Sequence, residues 1–246
     1  MIVAVRAVYE TLAISFPTVF DATLSRMTIA KGNVRLERWS RRLLEQAGVN
    51  LTVEGETNVE RNKPYVVMSN HASHYDVPIL FQSWPGAMRM VAKTELYKIP
   101  VFGPALTGAG FIEIDRSNRE RAIASLRVAR ERLSQGVSVW IAPEGTRSRT
   151  GEIGPFKKGG FMLAMETELP IVPVGIAGSR EILPAGTRLV NRGARVHVVI
   201  GKPIPAPSSS AGNEARDALM RDVRAAIETA HQKAVRVLEA RGSNGG

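Results

Sequence analysis

The sequence contains no cysteine among its 246 residues. Disulfide bonds, thiolate zinc sites and a cysteine nucleophile are therefore excluded, and redox chemistry does not indicate the compartment. A chain of this length can bury a sizeable core without such cross-links. We expect one large globular domain, or one domain with a small appendage.

Aromatic residues are scarce, at 6% of the chain. This is few for the stacking platforms that bind single-stranded nucleic acids, and no recognisable nucleic-acid-binding motif is present. Positive charge is in excess, since 33 Lys and Arg residues outnumber 23 Asp and Glu residues for a formal net charge of +10. Such an excess favours an anionic membrane surface or phosphate-bearing substrates, although it also fits plain solubility. We expect no nucleic-acid partner.

The chain also lacks an obvious apolar run of the about 20 residues that cross a bilayer. The longest run, residues 12–20, contains Pro17 and is too short, and Arg6, Glu10 and Asp21 interrupt its surroundings. No charged segment precedes a clean apolar stretch and a cleavage site, so we expect no secretory signal. The N-terminal region is predicted to be either an interfacial helix with a basic continuation or an ordinary helix packed on the domain.

Strand and helix patterns alternate after residue 48. Predicted strands lie at residues 51–54, 65–69, 88–92, 111–114, 137–142, 171–176 and 195–200. Predicted helices lie at residues 1–48, with a break at 31–33, and at 74–83, 118–135, 159–167 and 213–240. This alternation favours an α/β fold with a mixed, largely parallel sheet covered by helices on both faces. We predict an N-terminal helical, membrane-associating region at 1–48, an α/β domain at 49–241 and a disordered tail at 242–246.

The common nucleophile and phosphate-loop motifs are absent. No G-x-S-x-G elbow occurs, and residues 154–160 lack the Gly-Lys-Ser/Thr ending of a Walker A loop. Residues 108–113 match only half of a dinucleotide-binding fingerprint, and a predicted strand follows instead of a helix. The sequence therefore offers no nucleophile of its own.

Two of the four histidines lie in the loop after the strand predicted at 65–69. His71 and Asp76 form a minimal general-base unit, because the carboxylate fixes the imidazole tautomer and stabilises the imidazolium. Five residues span about 140° of a helix, so the pair can meet only if His71 lies in the loop and Asp76 in the first helical turn. Ser73 and Asp76 also fit a capping box, which would make His71 an ordinary loop residue. A base without a nucleophile indicates that the substrate supplies the hydroxyl.

Three further segments follow or form predicted strands, and ligands of open α/β sheets bind where strands end. Arg116 ends one strand, although a surface ion pair explains it equally well. Residues 143–148, Pro-Glu-Gly-Thr-Arg-Ser, combine a permissive glycine with an arginine suited to phosphate, yet are ordinary in a polar turn. Glu144 needs a partner there, either Arg147 or a substrate hydroxyl. Residues 169–174 contain two prolines, which favours an edge strand or a strand entrance.

In their order along the chain, the four segments resemble the glycerolipid acyltransferase family. The family pattern is N-H-x4-D, then a glycine, an apolar stretch and Asp-Arg, then P-E-G-T-R-S, then an apolar V-P-[IV] strand. The chain matches it at residues 70–76, 110–116, 143–148 and 170–174, and the resemblance extends over 60–205. Each motif alone is weak, but four in order are strongly specific. The chain departs from the family at Glu113, where relatives are mostly apolar.

The resemblance implies an enzyme that moves a fatty acyl group from acyl-CoA or acyl carrier protein to a lysophospholipid, 1-acylglycerol-3-phosphate, without an acyl-enzyme. It implies that His71 is the general base and that Asp76 orients it. The implied acceptor-binding residues, with the arginines on the phosphate, are Lys93, Arg116, Glu144, Gly145, Thr146 and Arg147. Backbone amides are expected at the oxyanion. We expect no metal ion and no cofactor, and a location on the cytoplasmic face of the cell membrane as a peripheral or monotopic protein.

Three alternatives stay open at the level of the sequence. The acceptor can be glycerol-3-phosphate, a lyso-ornithine lipid or another lysolipid. A peripheral lipid-binding or scaffold protein can share the fold, but binding alone needs no His–Asp pair. A nucleic-acid-binding module accounts for the charge and for nothing else.

Overall fold

The computed structural model describes residues 2–61, 63–115, 119–187 and 189–243. Arg116 and the last three residues of the predicted tail, 244–246, lie outside these ranges. Residues 242 and 243, which the sequence assigned to a disordered tail, instead continue the last helix.

Seven strands form one sheet, and each predicted strand segment lies in one of them. Their bounds are β1 Asn50–Glu54, β2 Val66–Ser69, β3 Met88–Lys93, β4 Ile112–Ile114, β5 Ser138–Ile141, β6 Ile171–Ala177 and β7 Arg195–Ile200. The strand order is β1-β7-β6-β2-β5-β3-β4. Strands β6, β2, β5, β3 and β4 are parallel to one another, whereas β7 is antiparallel to β6 and parallel to β1. The carboxyl ends of five strands therefore share one edge of the sheet.

The helices of the described ranges precede the sheet or connect its strands. Their bounds are α1 Ile2–Thr23, α2 Ile29–Gln46, α3 Asp76–Ser83, α4 Thr94–Tyr97, α5 Phe102–Gly108, α6 Arg119–Ser134, α7 Gly159–Thr167, α8 Ser179–Ile182 and α9 Gly212–Ser243. Short 3-10 turns occupy Glu56–Asn58 and Ser209–Ala211.

Helices cover both faces of the sheet because successive strand residues point to opposite sides. Val67 of β2 belongs to a core cluster closed by α2 and α3, with Ile79 fully buried in it. Its neighbour Val66 belongs to a second cluster, closed by α6, α7 and α9, in which Phe161 and Val223 are fully buried. The predicted α/β fold, with a largely parallel sheet covered on both faces, is confirmed.

Of the two interpretations of residues 169–174, the edge strand is wrong, whereas the strand entrance holds for Pro170, because β6 begins at Ile171. Strand β6 is fully buried and lies between β2 and β7. Its register with β7 covers only Val174 to Ala177, so the proline ring of Pro173 stands where that ladder has ended. The prolines therefore lie in the centre of the sheet without removing a ladder hydrogen bond from it.

The break between the first two helices does not lie at residues 31–33 but at residues 24–28. Thr28 caps α2 by accepting a hydrogen bond from the amide of Lys31 at 3.2 Å. Gly32 is inside the helix and faces Arg89, whose Nη2 would be 2.6 Å from a Cβ at that position. The glycine thus permits close packing of α2 on β3. Its low helix propensity suggested a break in the helix instead.

Helix α1 is longer than the apolar run that the sequence suggested. It continues through Pro17 for 22 residues, and an 18-residue window of it has a mean hydropathy of 1.4, so the helix is long and apolar enough to cross a membrane by length and composition. The expectation that this region is too short is therefore wrong. Its large apolar side chains point outward, with exposed fractions of 66% at Tyr9, 58% at Phe16 and 63% at Phe20.

Candidate active site

The predicted site residues that the structure describes lie at the carboxyl edge of the parallel strands. His71 follows β2, Glu144 follows β5, and Lys93 is the last residue of β3. Because β2, β5 and β3 are neighbours in the sheet, their ends bring together side chains that are far apart in sequence. Arg116 follows β4, the next strand along this edge, but lies outside the described residues.

His71 and Asp76 are in direct contact, since His71 Nδ1 lies 2.7 Å from Asp76 Oδ2. Asp76 is the first residue of α3 and His71 precedes it in the loop, which is the arrangement that their spacing requires. The same oxygen accepts the backbone amides of Ala72 at 2.8 Å and Ser73 at 2.9 Å. Asp76 thus accepts the Ser73 amide, as in one half of a capping box, and contacts the imidazole with the same oxygen. The other half of the box is not formed, since Ser73 Oγ accepts the amide of Tyr75 at 3.1 Å and not that of Asp76.

Trp140 contacts the His71 ring, and the His71 side chain remains partly exposed to solvent. It packs edge-on against Trp140, with 5.5 Å between the ring centroids, and Trp140 Nε1 donates to Ser69 Oγ at 2.9 Å. The His71 side chain is 16% exposed. With Nδ1 donating to the carboxylate, Nε2 is the nitrogen left to accept a proton. Within the described residues, Nε2 has no hydrogen-bond partner and is not among the buried unpartnered atoms.

Asn70 fixes the loop from the other side. Its Nδ2 donates to the Ile176 carbonyl and its Oδ1 accepts the Ile176 amide, both at 2.9 Å. The buried side chain thus replaces a strand neighbour for β6 just beyond the end of β2. The backbone that carries His71 is therefore hydrogen-bonded to β6, an interior strand of the sheet.

Glu144 holds the backbone of the site together. Its Oε1 accepts the His71 amide and its Oε2 accepts the Gly154 amide, both at 2.9 Å. The carboxylate is buried, and burial raises its pKa, whereas the two amide hydrogen bonds and the charge on His71 counteract the rise. Glu144 forms no ion pair with Arg147, which was one of the two partners considered from the sequence.

Glu144→Ala is expected to destabilise the fold by up to about 1–3 kcal/mol for each of the two partly buried amides that loses its acceptor. The measurement is the free energy of unfolding in urea. Glu152→Ala is the matched control, because Glu152 is an exposed carboxylate in the same loop and should change stability by less than about 0.5 kcal/mol. Equal unfolding free energies for the two variants would show that Glu144 does not brace the loop.

The segment 143–148 turns back onto the catalytic loop. Gly145 has a φ of +76°, which favours glycine, and its amide donates to the Ala142 carbonyl at 3.0 Å. The Ser148 amide donates to the His71 carbonyl at 2.7 Å. Thr146 is exposed and Arg147 half-buried, and Arg147 has neither an ion pair nor a hydrogen bond within the described ranges. The turn places an uncompensated guanidinium beside the histidine.

The cations Arg147 and Lys93 are close enough to act on His74, the second histidine of the loop. The pKa of His74 is lowered, first by burial of the ring and then by the positive charge of Arg147, with smaller contributions from His71 and Lys93. His74 is therefore neutral near pH 7, although the residue as a whole is exposed. Lys93 and Arg147 thus lie on the same side of the sheet as His71.

Sequence analysis missed the supporting residues of this site. Trp140 looked like part of a buried strand, and nothing in the sequence connected it with His71. Asn70 was noted only as the first residue of the N-H-x4-D motif, and Gly154 only as part of a failed Walker motif. The position of Asn70 next to His71 was the one available signal, since a buried amide beside a base commonly orients the loop.

Comparison with known proteins gives consistent results. The family model described as acyltransferase matches residues 50–177. The chain is 35% identical over 153 residues to a chloroplastic 1-acyl-sn-glycerol-3-phosphate acyltransferase, BAT2, of Brassica napus, covering 62% of this chain and 44% of that protein. It is 36% identical over 160 residues to the 1-acyl-sn-glycerol-3-phosphate acyltransferase of Saccharomyces cerevisiae, covering 64% and 52%. The chain thus spans about half the length of the curated relatives it matches.

A solved structure is similar over nearly the whole chain. The crystal structure of the 1-acyl-sn-glycerophosphate (LPA) acyltransferase PlsC from Thermotoga maritima superposes with a TM-score of 0.71. The two chains are 26% identical, and the match covers 95% of this chain and 96% of the other. The similarity therefore includes the N-terminal helices as well as the sheet.

Proposed function

Because the chain belongs to the acyltransferase family, we propose that it transfers a fatty acyl group to the free hydroxyl of 1-acylglycerol-3-phosphate. The donor is an acyl thioester, either acyl-CoA or acyl carrier protein, and the lipid product is phosphatidic acid. The names of the relatives support the acceptor. The chemistry is supported by the His71–Asp76 contact.

The first part of the proposed reaction is a proton transfer. His71 Nε2 takes the hydroxyl proton of the acceptor as its oxygen attacks the thioester carbonyl. Asp76 holds Nδ1–H by the 2.7 Å hydrogen bond, which keeps Nε2 free of a proton before the step and stabilises the imidazolium after it. The two backbone amides on the same carboxylate oxygen prevent the carboxylate from turning away.

The second part is the collapse of the tetrahedral intermediate. A carbon–oxygen ester bond has formed, and the carbon–sulfur bond breaks as the electron pair of the oxyanion returns to the carbonyl. The thiolate leaves and takes the proton from the His71 imidazolium, which restores the base. No covalent bond to the protein is needed, since the acceptor supplies the nucleophile.

The acceptor phosphate is proposed to bind at the cations of the same edge. Arg147 supports this role because it is half-buried and has no partner in the described ranges. A guanidinium suits a phosphate through two parallel hydrogen bonds. Lys93 and Arg116 complete the proposed phosphate set, and Gly145, Thr146 and Glu144 shape the turn beside it.

The observation that carries the proposal is a histidine with an accessible Nε2, a buried carboxylate on Nδ1 and an unpaired arginine in the adjoining turn. The test is an assay of the purified protein with lysophosphatidate, glycerol-3-phosphate and lyso-ornithine lipid, each with acyl-CoA and with acyl carrier protein. Lysophosphatidate is expected to be the preferred acceptor. Preference for either of the other acceptors would refute lysophosphatidate as the substrate. No transfer to any of the three would refute the proposed acyltransferase activity.

We propose that the protein lies on the cytoplasmic face of the cell membrane, peripheral or monotopic, and the N-terminal helices support the membrane association. Helix α1 turns its polar side inward, where Glu10 is 8% exposed and accepts Arg42 Nη1 and Gln46 Nε2 of α2, both at 3.1 Å. Most of its large apolar side chains face outward, whereas Val3 and Ala7 pack against the core. The outer face of α1 is apolar and its inner face polar, so transfer of the outer face from water into the acyl region of a bilayer is favourable.

Exchange of Tyr9, Phe16 and Phe20 for serine in one variant is expected to reduce liposome binding more than tenfold. About 1.5–3 kcal/mol is available for each large apolar side chain that leaves water, so the loss of three exceeds one factor of ten. Sedimentation with liposomes measures it. Leu189→Ser is the control, since Leu189 is 68% exposed but lies outside α1. Similar sedimentation of both variants would mean that α1 only packs on the domain.

A further inference from the structure

A buried arginine without a carboxylate partner lies at the edge of the sheet opposite to His71. Arg89, near the start of β3, is 3% exposed. Its Nη1 donates to Asn33 Oδ1 at 2.8 Å and to the Met88 carbonyl at 2.7 Å. Its Nε and Nη2 donate to the carbonyls of Ala109 and Ile29. All four acceptors are neutral, so the hydrogen bonds satisfy most of the donors but leave the charge uncompensated.

A second arginine approaches the first. Arg132, in the last turn of α6, lies against Gly110, where an added Cβ would be 3.3 Å from Arg132 Nε. That Nε is buried and has no hydrogen-bond partner, and only Nη1 is engaged, with Gln135 Oε1 at 3.0 Å. Burial, with the added charge of Arg132, lowers the pKa of Arg89 to about 10. Neither guanidinium forms an ion pair within the part of the chain that the structure describes.

The two side chains line a cavity of about 170 Å³. The remaining lining residues, none of them acidic, are Met27, Thr28, Ile29, Gly108, Ala109, Gly110 and Val137. A water molecule occupies about 30 Å³ of liquid, so this space is large enough for a tetrahedral oxyanion and a few waters. It is too small for an acyl chain or a nucleotide.

We infer that this cavity binds a phosphate group between Arg89 and Arg132. Arg89 is buried and Arg132 half-buried, so the repulsion between the two like charges is only partly screened by solvent. A dianion between them removes the repulsion and supplies the missing acceptors. The site is separate from the catalytic edge, because Arg89 and Lys93 are four residues apart on β3, about 13 Å. It therefore does not depend on the proposed reaction.

The phosphate can belong to a free ion or to a lipid headgroup. The connection between α1 and α2, residues 24–28, forms part of the cavity wall through Met27 and Thr28. This connection directly follows α1, the helix proposed to contact the membrane, so a lipid headgroup is one of the two sources to test. The ligand chemistry is the same in both cases, and the source is decided by experiment.

The first measurement is calorimetric titration of the full chain with inorganic phosphate at constant ionic strength. Arg132→Gln is expected to weaken phosphate binding at least about tenfold, whereas Arg127→Gln should leave it within about twofold. Arg127 is the matched control because it is an exposed arginine on the same helix, outside the cavity. The titrations are repeated with each substitution combined with Arg147→Gln, which removes the arginine proposed to bind phosphate at the catalytic edge. Equal affinities of the Arg132 and Arg127 variants in both backgrounds overturn the inference.

The second measurement is the melting temperature with phosphate against chloride at equal ionic strength. All proteins compared in this measurement carry Arg147→Gln, so that the phosphate site proposed at the catalytic edge does not contribute. Phosphate is expected to raise the Tm of Arg147→Gln alone and of its combination with Arg127→Gln, but not that of its combination with Arg132→Gln. The same rise in all three proteins overturns the inference. In phosphate-free buffer, weaker binding of Arg132→Gln than of Arg127→Gln to phosphatidic acid liposomes identifies the lipid headgroup as the source. If the two variants bind the liposomes equally but Arg132→Gln binds inorganic phosphate more weakly in the calorimeter, the ligand is the free ion.

Discussion

His71→Ala is expected to lower kcat by about a thousandfold, because it removes the group that takes the proton from the acceptor hydroxyl. No neighbouring side chain can replace it. Asp76 stays behind with two backbone amides on its Oδ2, and its position at the start of α3 places it behind the imidazole. His74 is too weak a base, since its pKa is lowered by burial and by the neighbouring cations.

The fold is expected to survive this substitution. The contacts that hold the loop use the backbone of residue 71, whose amide donates to Glu144 and whose carbonyl accepts the Ser148 amide. Only the ring contact with Trp140 and the bond to Asp76 are lost. Circular dichroism and the urea midpoint should therefore stay close to those of the unmodified protein.

The measurement is steady-state acyl transfer to lysophosphatidate. His231→Gln is the control, because His231 lies on α9, which carries none of the proposed site residues, and its loss should leave kcat within about threefold. Unchanged turnover in His71→Ala would remove the base from the mechanism, whatever the acceptor proves to be.

Arg147→Ala is expected to raise the KM for lysophosphatidate about a hundredfold and to leave the KM for the thioester donor nearly unchanged. A hydrogen bond to a charged group contributes about 1.5–3 kcal/mol, and the upper part of that range corresponds to a hundredfold change in affinity. The effect should be confined to the acceptor, since the guanidinium is proposed to bind the phosphate and not the acyl group.

Arg149→Ala removes the same charge from the same turn and is the control for Arg147→Ala. Arg149 is exposed, and its backbone carbonyl accepts a hydrogen bond from Arg180 Nη2 at 2.9 Å, which remains in the variant. A monoacylglycerol without phosphate provides a second comparison, because it should be equally poor for both proteins. Equal rises in the KM values of donor and acceptor would show that Arg147 shapes the turn and does not bind the phosphate.

The strands were predictable because their apolar patterns are local properties of the chain. All seven predicted segments lie in strands, and the alternation with helices indicated the α/β class. The failures are positions where a distant part of the chain overrides a local preference. Gly32 looked like a helix break, but it permits close approach of α2 to Arg89. Pro173 looked like an edge residue, but the ladder with β7 begins only after it.

The site was predictable as a set of chemical groups and unpredictable as an arrangement. The spacing of His71 and Asp76 allows their contact only if His71 lies in the loop and Asp76 in the first helical turn. The structure has this arrangement, since α3 begins at Asp76. Glu144 was singled out, yet its two amide partners were not, because each is set by the course of the backbone and not by residue type. Trp140 gave no signal at all, since a tryptophan in an apolar run is indistinguishable from any other core residue.

From the residues alone came the exclusion of cysteine chemistry, the order of the strands along the chain and the motifs that carry the base and the cations. These depend on residue type and short spacing, which a linear chain displays directly. Folding decided which groups meet: the His71 amide and the Glu144 carboxylate are 73 residues apart, and Asn70 and Ile176 are 106 apart. Parallel strands can be brought side by side only by long crossovers, so the sheet order, rather than any local pattern, places these partners within hydrogen-bonding distance.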